Sequence, residues 1–191
     1  MGILLGNCCM FTKKLVMVQR CFFAAFTILL LFARAEAQTG QLAAGDTLPS
    51  FTLKDQDGHD FAISEQIGKQ IMVIYFYPKD ESPVCTREAC SFRDSYADFT
   101  KAGALVIGIN SGTVESHKSF AENHQLPFIL LSDPDNKVLK LFRVKGKFGF
   151  TGRATFVVDL KGKIVYSYTA FTKGSAHAEK TLAFINEMKK N

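Results

Sequence analysis

The stretch "IMVIYFYPKDESPVCTREACSFRDSYADFTKAG", Ile71 to Gly103, decides the fold because its hydrophobic period changes across a prolyl turn. Ile71 to Tyr77 is a continuous apolar run, the pattern of a strand covered on both faces. Beyond Pro78 and Pro83, the residues Cys85, Ala89, Phe92, Tyr96 and Phe99 recur at spacings of four and three, which puts them on one face of a helix. That helix is expected to begin at or next to Cys85 and to stop at Gly103. A buried strand that feeds an amphipathic helix is the unit of an α/β sheet.

Farther along the chain, "ALVIGIN", "FILL" and "ATFVV" repeat the apolar strand character. "ATFVV" turns through "DLKG" into "KIVYSY", an antiparallel hairpin. Helical patterns fall on "VESHKSFAENH", "NKVLKLF" and "HAEKTLAFINEMKK". Ahead of them, "LPSFTLKDQDGHDFAI" alternates around "DQDG" as a hairpin or extended arm. The expected architecture is α/β: a mixed central sheet flanked by helices, without repeats or a second domain.

The chain has 191 residues, 47% apolar and 21% charged, which suits one domain with a proper core. Its first 37 residues read as a secretory signal: Lys13, Lys14 and Arg20, the apolar run "CFFAAFTILLLFA", then "AEA". Cleavage is expected before Gln38, leaving 38–191 as the folded domain of an exported protein, periplasmic or otherwise extracytoplasmic. Without cleavage, residues from Leu15 onward would serve as a membrane anchor; with it, no stable membrane association is expected. "MGILLGNCC" has Gly6 where myristoylation needs Ser or Thr. Removing the segment lowers the formal net charge from +5 to +2 and leaves no polybasic patch, which excludes a nucleic-acid-binding surface.

Of five cysteines, only Cys85 and Cys90 then remain. An oxidising compartment favours a structural disulfide, but the local geometry opposes one. On an ideal helix, residues five apart have Cα atoms roughly 8.6 Å apart, beyond the disulfide limit of about 7 Å. Either the segment is not helical when oxidised, or its first turns must unwind. Cys85 lies where unpaired N–H groups and the helix dipole favour a thiolate, on the apolar face and at the floor of a pocket. Those surroundings argue for a nucleophile.

"PKDESPVC" matches the P-x-x-x-T/S-x-x-C signature of the peroxiredoxins through Pro78, Ser82 and Cys85. "CTREACSFRD" adds the cysteine spacing of the atypical two-cysteine Q type, the bacterioferritin comigratory protein group, and the resemblance spans Gly45 to Met188. It implies a thioredoxin-like fold and a thiol-dependent peroxidase acting on hydrogen peroxide and organic hydroperoxides. By resemblance Cys85 is the peroxidatic and Cys90 the resolving cysteine, joined during turnover as a disulfide that a thioredoxin-like donor reduces. Ser82 holds the peroxide, Arg153 of "GRATFVVD" supplies positive charge, Glu88 orients the guanidinium, and Pro78 shields the sulfur. Ser82 keeps the hydroxyl of the more usual Thr and lacks its methyl. The resemblance implies no cofactor and no metal, and a monomer is expected. Export would put the protein out of reach of a cytosolic thioredoxin.

His117 and His124 lie seven apart on one helix face and read as a solvated edge, while His59 and His177 are scattered. No C-x-x-C or H-x-x-x-H spacing points to a metal. The abundant Phe residues read as core, and "SDPDNK" as a turn opening a helix. Two rival readings share the fold. A thiol-disulfide oxidoreductase would place two rather than four residues between its cysteines. A copper-binding assembly protein would use C-x-x-x-C with a distant His, and would leave Arg153 and Ser82 unexplained.

Overall fold

A hairpin of β1 (Thr52–Asp55) and β2 (Asp60–Ala62) opens the sheet and runs into a 3-10 turn, Ile63–Gln66. The computed structural model describes residues 40–146 and 151–190. The segment read as a signal, with Cys8, Cys9 and Cys21, lies outside the described residues. Next come β3 (Ile71–Phe76), α1 (Pro83–Asp94), α2 (Tyr96–Lys101), β4 (Ala104–Asn110), α3 (Val114–His124) and β5 (Ile129–Ser132). The chain closes with α4 (Lys137–Leu141), β6 (Ala154–Val158), β7 (Ile164–Tyr168) and α5 (Ser175–Met188).

The seven strands form one sheet in the order β2-β1-β5-β4-β3-β6-β7. β3, β4 and β5 run parallel, and β6 returns antiparallel beside β3. The sheet is therefore mixed, as its alternation with helices predicts. Side chains of β3 divide between two cores by the two-residue strand period. Met72, Ile74 and Phe76 pack with Phe142 and Phe156, whereas Val73, Tyr75 and Tyr77 pack with Phe92, Phe99 and Phe120. The Phe-rich composition is thus core on both sides. Gly108 of β4 is needed for close approach: a Cβ there would lie 2.7 Å from the Tyr75 ring and hydroxyl.

Two expectations change. The helix drawn from Cys85 to Gly103 breaks at Ser95, whose φ of −99° and ψ of 7° end α1 and begin α2. A serine inside a helical run competes for backbone hydrogen bonds, and the bend still keeps one apolar face, with Phe92 and Phe99 rings 5.7 Å apart. The α3 histidines are no solvated edge either. His117 is fully buried, and His124 is partly covered and bonded to Glu81. Periodicity shows that two residues share a face, but not what that face meets.

Candidate active site

Three elements converge at the C-terminal end of β3. The loop Tyr77–Ser82 leaves the strand and enters α1 with Ser82 as N-cap and Pro83 in the first turn. Proline suits that position because its missing N–H would have no helical acceptor. The Thr86 N–H bonds the Ser82 carbonyl at 2.8 Å, and the Ser82 side chain makes no capping bond. The first-turn donors at Val84 and Cys85 therefore precede the helical ladder and are left to any anion placed beside them.

Cys85 is 1% exposed and sits in the core beneath that turn. Arg153 reaches it from β6. In the antiparallel register Phe76 faces Ala154, so Arg153, one residue earlier, stands beside the loop that follows β3. Its Nη2 donates to Cys85 Sγ at 3.0 Å, its Nη1 to Glu88 Oε2, and its Nε to the Phe171 carbonyl at 3.0 Å. Glu88 is one turn beyond Cys85 on α1 and fully buried. A guanidinium has a rigid fork of donors; with two arms occupied by Glu88 and Phe171, the third is aimed at the sulfur. The desolvated charge of Arg153 is paired rather than isolated, the condition under which burial is tolerated.

Of the sequence candidates, Cys85, Arg153 and Glu88 are in direct contact. Pro78 and Ser82 belong to the adjacent loop, where Ser82 Oγ donates to the Lys79 carbonyl at 3.2 Å and Thr151 Oγ1 donates to the Pro78 carbonyl at 3.3 Å. Cys90 is on the flank of the same helix, half-buried, and both cysteines are free thiols. No helix among the described residues is long and apolar enough to cross a membrane.

In sequence His177 reads only as one of the scattered histidines, and Thr155 is not singled out. His177 lies in the first turn of α5, fully buried, and its Nε2 donates to the Ala170 carbonyl at 3.0 Å. Burial, with the Arg153 charge adding to it, lowers its pKa to about 4 against a hydrogen bond to Ala170 that favours the charged form. The ring is therefore neutral near pH 7. Its proton is on Nε2, and Nδ1 accepts from Thr155 Oγ1 at 2.8 Å. Glu88 Oε1 is 3.4 Å from that same Nδ1 and has no hydrogen-bond partner. One signal was available: Thr155 interrupts a wholly apolar strand, and a buried hydroxyl requires a partner.

The AhpC/TSA family matches residues 44–167. The chloroplastic peroxiredoxin Q of Triticum aestivum is 47% identical over 151 residues, covering 78% of this chain and 69% of the relative. That of Sedum lineare is 46% identical over 151 residues, covering 78% and 81%. A solved structure concerning the alkyl peroxide reduction activity of the Xanthomonas campestris bacterioferritin comigratory protein superposes with a TM-score of 0.68 at 29% identity, covering 75% of this chain and 99% of that one. Both plant relatives are named chloroplastic, which overturns the expectation of an exported protein, anchored or not. Basic, acid-poor leaders are common to secretory and organelle-targeting segments, so charge and apolarity alone misassigned the address. The family match, the two plant relatives and the thiol-centred geometry agree: the chain belongs to the AhpC/TSA family as a peroxiredoxin of the Q type, a thiol-dependent peroxidase.

Proposed function

We propose that the domain over 38–191 reduces hydrogen peroxide and organic hydroperoxides through the Cys85 thiolate, with Cys90 as resolving thiol and a thioredoxin-type protein as reductant. The observation that carries this reading is the Arg153 guanidinium 3.0 Å from a buried Cys85 sulfur at the start of a helix. Fixed positive charge there stabilises the thiolate and then the oxygen that departs.

The sulfur attacks the terminal peroxide oxygen in line. The O–O bond breaks, the S–O bond forms, and the departing hydroxide or alkoxide takes a proton to leave as water or alcohol. Ser82 and the Cys85 N–H hold the peroxide, Pro78 keeps bulk water from the sulfur, and Glu88 keeps the guanidinium aimed. The Cys90 thiol then condenses with the sulfenic acid, releasing water and forming the disulfide. Two electrons from a dithiol donor restore both thiols. The constraint that export placed on this donor disappears with the export reading. A Cu(I) site is disfavoured by the same contact, because a guanidinium on the sulfur repels a metal cation.

The unequal cysteines give the test. Cys85→Ser is expected to abolish peroxide consumption, whereas Cys90→Ser oxidises one equivalent of Cys85 and then fails to recycle through the disulfide. Single-turnover assays with peptide-resolved mass spectrometry read both outcomes. Equal loss of the first oxidation in the two variants would remove the distinction between nucleophile and resolver.

A further inference from the structure

Two consecutive carboxylates in the loop between β3 and α1 both end on α3. Asp80 is buried, and its Oδ1 accepts from Tyr77 Oη and from Asn110 Nδ2, each at 2.8 Å. Its Oδ2 accepts from Ser116 Oγ at 2.6 Å and from His117 Nδ1 at 2.9 Å. The other ring nitrogen of His117 is 3.2 Å from the Leu131 carbonyl of β5. Glu81 is exposed, and its two oxygens meet Asn123 Nδ2 at 3.0 Å and His124 Nε2 at 2.8 Å.

These contacts do not arise from the loop's own preferences. Burial opposes ionisation of Asp80, yet the hydrogen bond and charge of His117, with the Ser116 and Tyr77 hydroxyls, hold its carboxyl below the usual range. Burial keeps the Tyr77 phenol protonated as a donor. Glu81 has a φ of 57°, left-handed backbone that a residue with a Cβ keeps only when its surroundings impose it. The histidines are seven residues apart, about two helical turns, so one face of α3 grips adjacent residues. The gripped loop carries Pro78 on one side and Ser82 on the other.

We propose that His117 and His124 are positioning residues for the peroxide reaction: they hold Asp80 and Glu81, and through them the Pro78–Ser82 loop, at the geometry in which the peroxide is lined up over Cys85. This rests on the peroxidase mechanism above. Neither histidine touches the sulfur in the contacts described, so each acts through the carboxylate it holds.

The test uses the full chain carrying Cys90→Ser, with Cys85 followed by peptide-resolved mass spectrometry. Oxidation by hydrogen peroxide is compared with alkylation by iodoacetamide, a reagent that reports on the thiolate and needs no peroxide alignment. Asp80→Asn and His117→Asn are each expected to slow oxidation about tenfold, because misplacement of a positioning group by an ångström is enough for such a loss. The double variant should be no slower than the worse single one, as for two partners in one contact. Alkylation should stay within about twofold of the parent, since Arg153 and the helix start are unchanged. A parallel fall in both rates would reduce the cluster to general support of the pocket and overturn the proposal. Unchanged oxidation in folded variants would also overturn it. Should the buried variants fail to fold by circular dichroism, Glu81→Gln and His124→Gln decide: slower oxidation with intact alkylation supports positioning, and unchanged oxidation refutes it. Failure of the peroxidase mechanism would show separately, as a parent protein whose Cys85 resists peroxide.

Discussion

Arg153 is the residue on which the proposed thiol chemistry turns, because its three donor groups go to three different partners and only one of them is the sulfur. Replacing it with Met keeps much of the volume and removes the charge. The first turn of α1 would then act on Cys85 alone, and a helix terminus contributes only about 0.3–1 kcal/mol, up to about 2 in buried geometry. Arg153→Met is expected to slow the single-turnover oxidation of Cys85 by peroxide about a hundredfold. A single-turnover rate unchanged from the parent would show that Arg153 does not act on the attacking sulfur. The substitution also strands buried Glu88, whose Oε1 already has no partner, so lower thermal stability should accompany the loss.

In the proposed mechanism, helix α1 has two incompatible duties. Wound, it places Cys85 at its first turn and Glu88 against Arg153. For the proposed Cys85–Cys90 disulfide it would have to open, because an intact helix holds residues five apart beyond bonding reach. Glu88 lies between the two cysteines, so opening that segment also withdraws it from Arg153. Local opening can cost far less than global unfolding, and the proposed turnover would depend on that difference. Too stable a helix leaves the sulfenic acid open to further oxidation, and too loose a one loses the ordered thiol pocket. Hydrogen exchange is expected to differ most between Pro83 and Asp94 on comparing reduced with oxidised protein. Equal protection there in both states, with the disulfide verified by mass, would sink the unwinding mechanism.

For the whole molecule, the sheet order sets both the site and a pH limit on stability. α5 closes over the site, and its Gly174 leaves no room for a side chain: a Cβ there would be 2.6 Å from the Val84 carbonyl of α1. His177, three residues on, is buried with a folded pKa of about 4 against an ordinary 6.5. Between those values the unfolded chain binds a proton that the folded one does not. The stability from His177 is therefore full above pH 6.5 and is lost as pH falls toward 4, with a slope of about 1.4 kcal/mol per pH unit at most. His177→Gln, which keeps an amide donor for Ala170 and an acceptor for Thr155, should flatten the dependence of Tm on pH in that window. A slope identical to the parent's would mean that another group carries the acid sensitivity.

The types of element are legible in the chain's own pattern, because a period of two or of 3.6 and the turn residues are local properties. Strands β3 to β7, helix α3 and the placement of Cys85 near a helix start follow from such patterns, and so does the fixed interval to Cys90. The signature around Pro78, Ser82 and Cys85 is equally local. Which side chains meet across the fold, implied for Arg153 and Glu88 by the resemblance but not by the residues themselves, is set by tertiary packing. The antiparallel register of β3 with β6 brings Arg153 to a sulfur 68 positions away, and packing of α5 brings His177 to Thr155 and Glu88. The same holds for His117 and His124: their spacing placed them on one face, while burial against Asp80 and Glu81 gave that face its partners. A contact between distant residues is specified by the packing of whole layers, and no short window of sequence contains that information.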